Sequence, residues 1–277
     1  MKKTFLIALV SLLATQVMAQ GGNETQGARA NALAGASLTL QDGWAANNNV
    51  ATLGLIDEFN IGAAYESRFF LPEAGLGSVA LAAPLAGGSI GIIGHNYGYG
   101  GFSQNRIGLG YGRKLSDYFS LGVQLDYLQT QLGDVYGSRS NIVAEIGMLI
   151  TVNEKVSLAA NVFNPTQARF ADYDDERIPT SLRIGGQYRF SEKVMAVMEL
   201  DKDIDLPLNI KSGLEYNPVE PIFIRLGFAT AQQALAFGLG YRWQSVSADV
   251  SANWNQILGF SSGVSLGYAF GSRKKKE

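Results

Sequence analysis

The chain has 277 residues, 47% hydrophobic and only 17% charged, with 33 glycines and no cysteine. An average soluble domain carries about 25% charged residues, and each interior glycine costs a helix roughly 1 kcal/mol against alanine, which argues against a helical bundle. The missing cysteines remove disulfide scaffolds and thiol or thiolate-metal chemistry, and 22 basic against 24 acidic residues leave no electrostatic footprint for nucleic acid.

In chain order, Lys2 and Lys3 precede an apolar run over 5–13, and Val17-Met18-Ala19 closes the segment. This is the layout of a secretory signal peptide over 1–19, cleaved after Ala19. The run falls short of the ~20 residues that span a bilayer. Residues 20–55 show no alternation and are rich in small side chains, which predicts short helical turns packed closely against backbone. Residues 74–94 carry no charge and are long enough to cross a membrane as a helix. Pro84 and six glycines (Gly75, Gly77, Gly87, Gly88, Gly91, Gly94) break that helix, predicting instead two strands joined by a turn at 84–88.

Beyond residue 55 the pattern is strict alternation. Ile107, Leu109 and Tyr111 interleave with Arg106 and three glycines, and Phe119, Leu121, Val123 and Leu125 with Ser120, Gly122, Gln124 and Asp126. The pattern recurs over 142–152, 182–190, 208–216, 222–228, 235–243, 246–254 and 264–270. Charges such as Glu66, Lys114, Glu145, Arg189, Lys211, Glu215 and Asp249 fall in the less apolar phase; the exception is Arg113, beside a turn. A soluble sandwich also alternates, but its outward face is the charged one. The turns alternate in length as well. Short ones are expected at 116–117, 153–154, 191–192, 217–221 and 244–245, longer loops at 98–104, 133–138, 165–178, 202–207 and 255–262. That is the habit of outer-membrane barrels.

The fold class expected is therefore all-β: a transmembrane outer-membrane barrel of about 14 antiparallel strands with an N-terminal luminal hatch. The divisions are a signal peptide over 1–19, a hatch over 20–55, a barrel over 56–271 and a basic periplasmic tail over 272–277. Tyr65, Tyr127, Tyr188, Phe190, Tyr216, Trp243 and Trp254 would supply the interfacial girdles. The inward phase is crowded with glycine (Gly108, Gly110, Gly112, Gly122, Gly238, Gly240, Gly267), which leaves room for a hatch. Asp126, Glu145, Arg183, Glu199, Arg225 and Arg242 are the candidate luminal charges. Their interleaved signs favour cross-strand ion pairs over an ion-selective open pore.

Two resemblances follow. The last strand, with Gly267, Tyr268 and Phe270, resembles the C-terminal signal read by the barrel assembly machinery, although Phe270 is not the terminal residue. The stretch from Gly27-Ala28-Arg29 through Gly35-Ala36-Ser37 and Asp42-Gly43-Trp44 to Asn47-Asn48-Asn49-Val50-Ala51-Thr52-Leu53 resembles the opening motif of FadL-like outer-membrane proteins. It is closest to their PorV/PorQ branch in Bacteroidetes-type bacteria, but Val50 and Thr52 stand where that motif has proline and glycine. The resemblance implies a fourteen-stranded plugged barrel, set in outer-membrane lipid, that binds or passes a hydrophobic small molecule. Its PorV side implies secretion-system proteins as partners. Arg29, Asp42, Trp44, Asn47, Asn48 and Asn49 are the candidate hatch or ligand-binding residues.

Other motifs are set aside. His95, the one histidine, is expected as an interfacial polar residue, and nothing brings it to Ser89 or Asp126 for catalysis. The run 88–94 lacks the lysine and helix of a phosphate loop. Asp172, Asp174, Asp175 and Glu176 read as a solvated loop tip rather than a calcium site. Arg273 to Lys276 read as a solvated tail. No enzyme activity, cofactor, metal or nucleic acid is expected.

Overall fold

The computed structural model describes residues 24–71, 74–99, 101–132, 137–169, 178–231 and 234–271. The expected signal peptide, the acidic residues at 172–176 and the basic tail lie outside the described residues.

Each alternating segment forms a strand, fourteen among the described residues. They are β1 (Phe59–Ser67), β2 (Gly75–Leu85), β3 (Gly88–Tyr99), β4 (Phe102–Ser116), β5 (Phe119–Leu132), β6 (Ser138–Thr151) and β7 (Val156–Phe163). After the longest connection come β8 (Ser181–Ser191), β9 (Val194–Asp203), β10 (Asn209–Val219), β11 (Ile222–Ala229), β12 (Ala234–Trp243), β13 (Val246–Asn255) and β14 (Gly259–Phe270). Every strand pairs antiparallel with its sequence neighbours, and β1 closes on β14 with Phe59 opposite Phe270 and Ser67 opposite Ser262. Closure leaves no sheet edge with unpaired backbone groups.

Period two assigns the two faces. Leu109 and Leu266 are 55% and 62% exposed, whereas Asp126 and Glu145 are wholly buried and Arg225 is 1% exposed. The outward phase is thus the apolar one, the arrangement of a wall that meets lipid rather than water. Arg113 faces outward beside the β2–β3 turn, its guanidinium next to Gly87. Outward aromatics form two belts. Phe59, Tyr188, Phe190, Tyr216, Trp243 and Tyr268 lie toward one rim, and Tyr65, Tyr127 and Phe260 toward the other.

Connections on the first rim are short, at 86–87, 117–118, 152–155, 192–193, 220–221 and 244–245. Two loops expected to be long are not. β3 runs on to Tyr99 and pairs with Phe102, and β13 runs on to Asn255 and pairs with Gly259. Positive φ at Gly98 (125°) and Gly259 (85°) lets the chain reverse tightly there, so polar residues extend the ladder instead of looping. The uncharged stretch is two strands, as expected. Pro84 sits next to last in β2, opposite Ser89, where the hairpin is about to turn.

The N-terminal segment enters the barrel interior. It contains helix α1 (Ala28–Ala32), helix α2 (Ala45–Asn48) and a 3-10 turn over Val50–Leu55. Leu33, Ala45, Val50, Ala51 and Leu53 are wholly buried. Ala46, Val50 and Leu53 pack on Ala80, Ala82 and Ile93; Leu33 and Leu40 on Met195 and Val197; Leu38 and Ala51 on Leu149 and Ala159. Hence the inward phase is not uniformly polar: it turns apolar where the segment touches it.

The glycine-lined wall divides in two. At Gly110 a Cβ would lie 2.9 Å from the Val50 side chain, and at Gly122 it would lie 2.5 Å from the Val50 carbonyl. Gly112 meets Val50 likewise, and Gly238 meets Ala32. These glycines admit the segment. Gly108, Gly240 and Gly267 instead make room for wall side chains, namely Asp126, the Arg225–Asp249 pair and Ser247.

Candidate functional site

Three clusters of interior polar groups each span neighbouring strands, and a fourth joins Arg68 to Glu24 and Glu66. On β4–β7, Arg106 donates to Asp126 (2.8 Å) and Glu145 (2.9 Å), and Asn161 Nδ2 donates to Glu145 (2.7 Å). Arg106 also lies over the Phe163 ring at 5.2 Å. Phe163 joins Leu128, Val143 and Ile178 in an apolar cluster at the long-loop end. Asn164 ties down the descending loop there, its Nδ2 donating to the Ile178 carbonyl and its Oδ1 accepting from Ala168 N–H.

The second cluster clamps the segment. Arg183 Nε donates to Glu199 (2.7 Å), while its two Nη atoms reach the Asn48 carbonyl (3.2 Å) and Ser37 Oγ (3.0 Å). The other Glu199 oxygen accepts the backbone N–H groups of Ser37 and Leu38. Lys211 bridges Glu199 (3.3 Å) and Asp201 (2.7 Å).

The third cluster is a chain of alternating charge: Asp42, Arg29, Glu215, Arg225, Asp249. Arg29 grips Glu215 with two 2.8 Å bonds and reaches Asp42 at 3.1 Å. Arg225 donates to Glu215 and Asp249 at 2.6 Å each. Burial alone would lower the Arg29 pKa, but the Glu215 and Asp42 carboxylates outweigh it and hold the guanidinium above its ordinary value. Such buried pairs cost desolvation, and removing one partner strands the other charge.

Of the sequence-predicted residues, Arg29 and Asp42 therefore meet, and Arg183 meets Glu199. The candidate luminal charges Asp126, Glu145 and Arg225 are likewise paired. Asn47, Asn48 and Asn49 fold the segment onto itself. Asn48 exchanges bonds with the Gln26 backbone, and Asn49 Nδ2 donates to the carbonyls of Leu38 (2.9 Å) and Met148 (3.3 Å). The Trp44 indole lies in a notch whose walls are Gly27 and Gly62, 6% exposed. Gly267, Tyr268 and Phe270 form the closing strand, with Tyr268 stacked edge-on against Phe270 at 4.5 Å.

His95 is not interfacial. It points inward, opposite Ser78 and Arg106, because it shares the phase of Ile93 and Tyr97. No triad forms: Ser89 donates to the Ile56 carbonyl and Asp126 is bound by Arg106. Among the described residues no group of His, Asp or Glu side chains is arranged to hold a metal ion. Glu215, Lys211 and Asp249 share the interior with the candidate residues, and their phase was the signal. Asn161, Phe163 and Asn164 were missed, since a neutral residue in the inward phase carries no mark of its role.

Between the segment and β12, β13, β14 and β1 lies a cavity of about 580 Å³ at the short-turn rim. Arg29, Asp42, Trp44, Arg242, Ser247 and Asp249 are among its lining residues. Arg242 stacks on Phe223 at 4.5 Å.

No protein-family model matches the sequence, and no curated protein sequence is detectably similar to it. Solved structures do share the fold. The CymD monoaromatic hydrocarbon channel superposes with a TM-score of 0.68 at 12% identity, over 88% of this chain and 97% of that one. The Ralstonia pickettii toluene transporter TbuX gives 0.63 at 15% identity, over 90% and 98%. A Pseudomonas aeruginosa FadL homologue gives 0.60 at 14% identity, over 85% and 96%. The chain is thus similar in fold, over 85% to 90% of its length, to hydrocarbon channels and transporters.

Proposed function

We propose that this chain is a non-enzymatic outer-membrane barrel that passes a hydrophobic small molecule, with its N-terminal segment acting as a luminal hatch. The observation that carries the reading is the closed fourteen-stranded wall, apolar outside, with a separate segment seated in its interior. The fold is shared with a monoaromatic hydrocarbon channel and a toluene transporter. Wall and segment contribute shape and exclusion rather than chemistry.

An N-terminal signal peptide and the closing strand with Gly267, Tyr268 and Phe270 fit export and delivery to the barrel assembly machinery. The PorV-like alternative, a barrel that receives secretion-system proteins, rests on the motif over 27–53. Two measurements separate the readings: uptake of a labelled monoaromatic hydrocarbon by cells with and without the protein, and pull-down of partners from solubilised outer membranes. Uptake that is unchanged on deletion, with a secretion subunit recovered, would establish the alternative.

A further inference from the structure

Five arginines of the interior (Arg29, Arg68, Arg106, Arg183 and Arg225) each pair with a carboxylate. Arg242 does not: among the described residues its guanidinium makes no ion pair, and it faces the cavity at the short-turn rim. Its plane is held by Phe223 at 4.5 Å, and Arg225 shares that ring at 5.6 Å. Arg225, 1% exposed, keeps its Nη2 without any partner. Two guanidiniums with unused donors thus flank one ring. We propose that this end of the cavity binds a phosphate-class oxyanion, taken by Arg242 with the Ser247 and Ser265 hydroxyls and the Gln244 amide, which also line it.

The donor set selects the class. A guanidinium fork engages two oxygens, which satisfies a carboxylate, whereas the hydroxyls and amide beside it call for the further oxygens of a phosphate. The acidic lining does not cancel the site. Asp249 is bound by Arg225 and Asp42 by Arg29. Asp57 and Glu58 lie at the far end. Arg242, Ser247, Gly267 and Gly62 are register partners in one row, which puts Gly62 three strands away, about 14 Å at about 4.8 Å per strand, with Glu58 four residues before it in the chain. The small side chains of that row leave a smooth trough running from Arg242 to the Trp44 ring over Gly62. Phe59, Trp243 and Tyr268 face outward at the same level, where lipid headgroups begin. The phosphate therefore has two sources, a phospholipid headgroup or the free anion. Binding here does not require passage of a hydrophobic molecule, so either reading can fail alone.

The test uses the full chain in a non-ionic detergent, titrated with inorganic phosphate and with short-chain phosphatidylglycerol, using diacylglycerol of the same chains as the control. Phosphorus NMR line widths follow the two phosphates, and native mass spectrometry follows the lipids. Saturable binding is expected, weakened at least tenfold by Arg242→Gln, severalfold by Arg242→Lys, and unchanged by Arg189→Gln, an exposed arginine in the inward phase of β8 at the same rim. Heat-modifiable gel mobility checks that each variant is folded, and Ser247→Ala serves if Arg242→Gln is not. Saturation by inorganic phosphate assigns the free anion; saturation by phosphatidylglycerol alone assigns the headgroup. No saturable binding of either, diacylglycerol bound equally well, or equal loss in Arg189→Gln, overturns the site.

Discussion

Gly122→Val tests whether the wall is shaped around the segment. A Cβ at Gly122 would stand 2.5 Å from the Val50 C and O atoms and 2.6 Å from Ala51 N, where ordinary contact begins at 3.4 Å. The shortfall is 3.4 − 2.5 = 0.9 Å, and all three neighbours are backbone, so no rotamer change relieves it. Overpacking a well-filled core costs about 1–3 kcal/mol. Escape by moving the segment is opposed by Val50 and Leu53, both wholly buried, each worth about 1.5–3 kcal/mol. Strain of about 2–3 kcal/mol raises the population of the displaced segment roughly 30- to 150-fold, at about 1.4 kcal/mol per factor of ten. The chain has no cysteine, so Leu53→Cys supplies a unique reporter. Its labelling by a water-soluble maleimide is expected to be slow with Gly122 and at least tenfold faster with Gly122→Val, while the barrel stays folded by heat-modifiable mobility. Gly77→Val, at a position with open space around it, is expected to leave labelling unchanged. Equal labelling in all three backgrounds would refute the claim that glycines seat the segment.

Three further expectations follow from the same interior. Arg183→Met removes the nearer of the two cations on the buried Glu199, leaving Lys211 at 3.3 Å, and is expected to cost about 3 kcal/mol in urea unfolding from lipid vesicles; adding Glu199→Leu should recover part of it, and a double variant no better than the single would count against the pairing. Leu109→Arg places a charge on the 55% exposed outward face and is expected to cost about 2–4 kcal/mol near the bilayer midplane; a cost under 1 kcal/mol would mean that the faces are assigned the wrong way round. Trp44→Ala empties the notch between Gly27 and Gly62 and is expected to cost about 3–5 kcal/mol, read as faster proteolysis of the segment with the barrel intact.

How much of this was legible depends on which residues carry a signal. The strands could be read because period two confines charge to one face, and Arg106, Asp126, Glu145 and Arg225 lie on it. Barrel closure was implied by the even count and by both ends reaching one rim, borne out in Phe59 opposite Phe270. Loop lengths were misjudged at 98–104 and 255–262, because glycine and polar residues mark a turn and an extended ladder alike. His95 was misplaced for a related reason. In β3 the stretch 88–94 carries no charge and both its phases hold glycine and isoleucine, so it does not say which side faces in, and the pairing of Gly94 with Val79 on one side and Ile107 on the other places it. Partners across the interior, such as Arg29 with Glu215, are 186 positions apart. No local pattern announces them. The Asn47, Asn48 and Asn49 run was conspicuous as a motif, yet its bonds hold the segment together rather than reach for a ligand.

The segment's seat has a consequence for biogenesis. Ala28 donates to Ser265, which is 237 positions away, and Arg29 to Glu215, so a segment that precedes β1 binds strands of the barrel's second half. Its own helices, five and four residues long, are too short to be stable alone in water. It cannot fold ahead of its partners, so its structure forms only against the inner wall. Seating of the segment and completion of the barrel interior are therefore one event. A barrel assembled without residues 24–55 and then offered them as a separate peptide should stay empty, whereas the intact chain carries its own filling through closure.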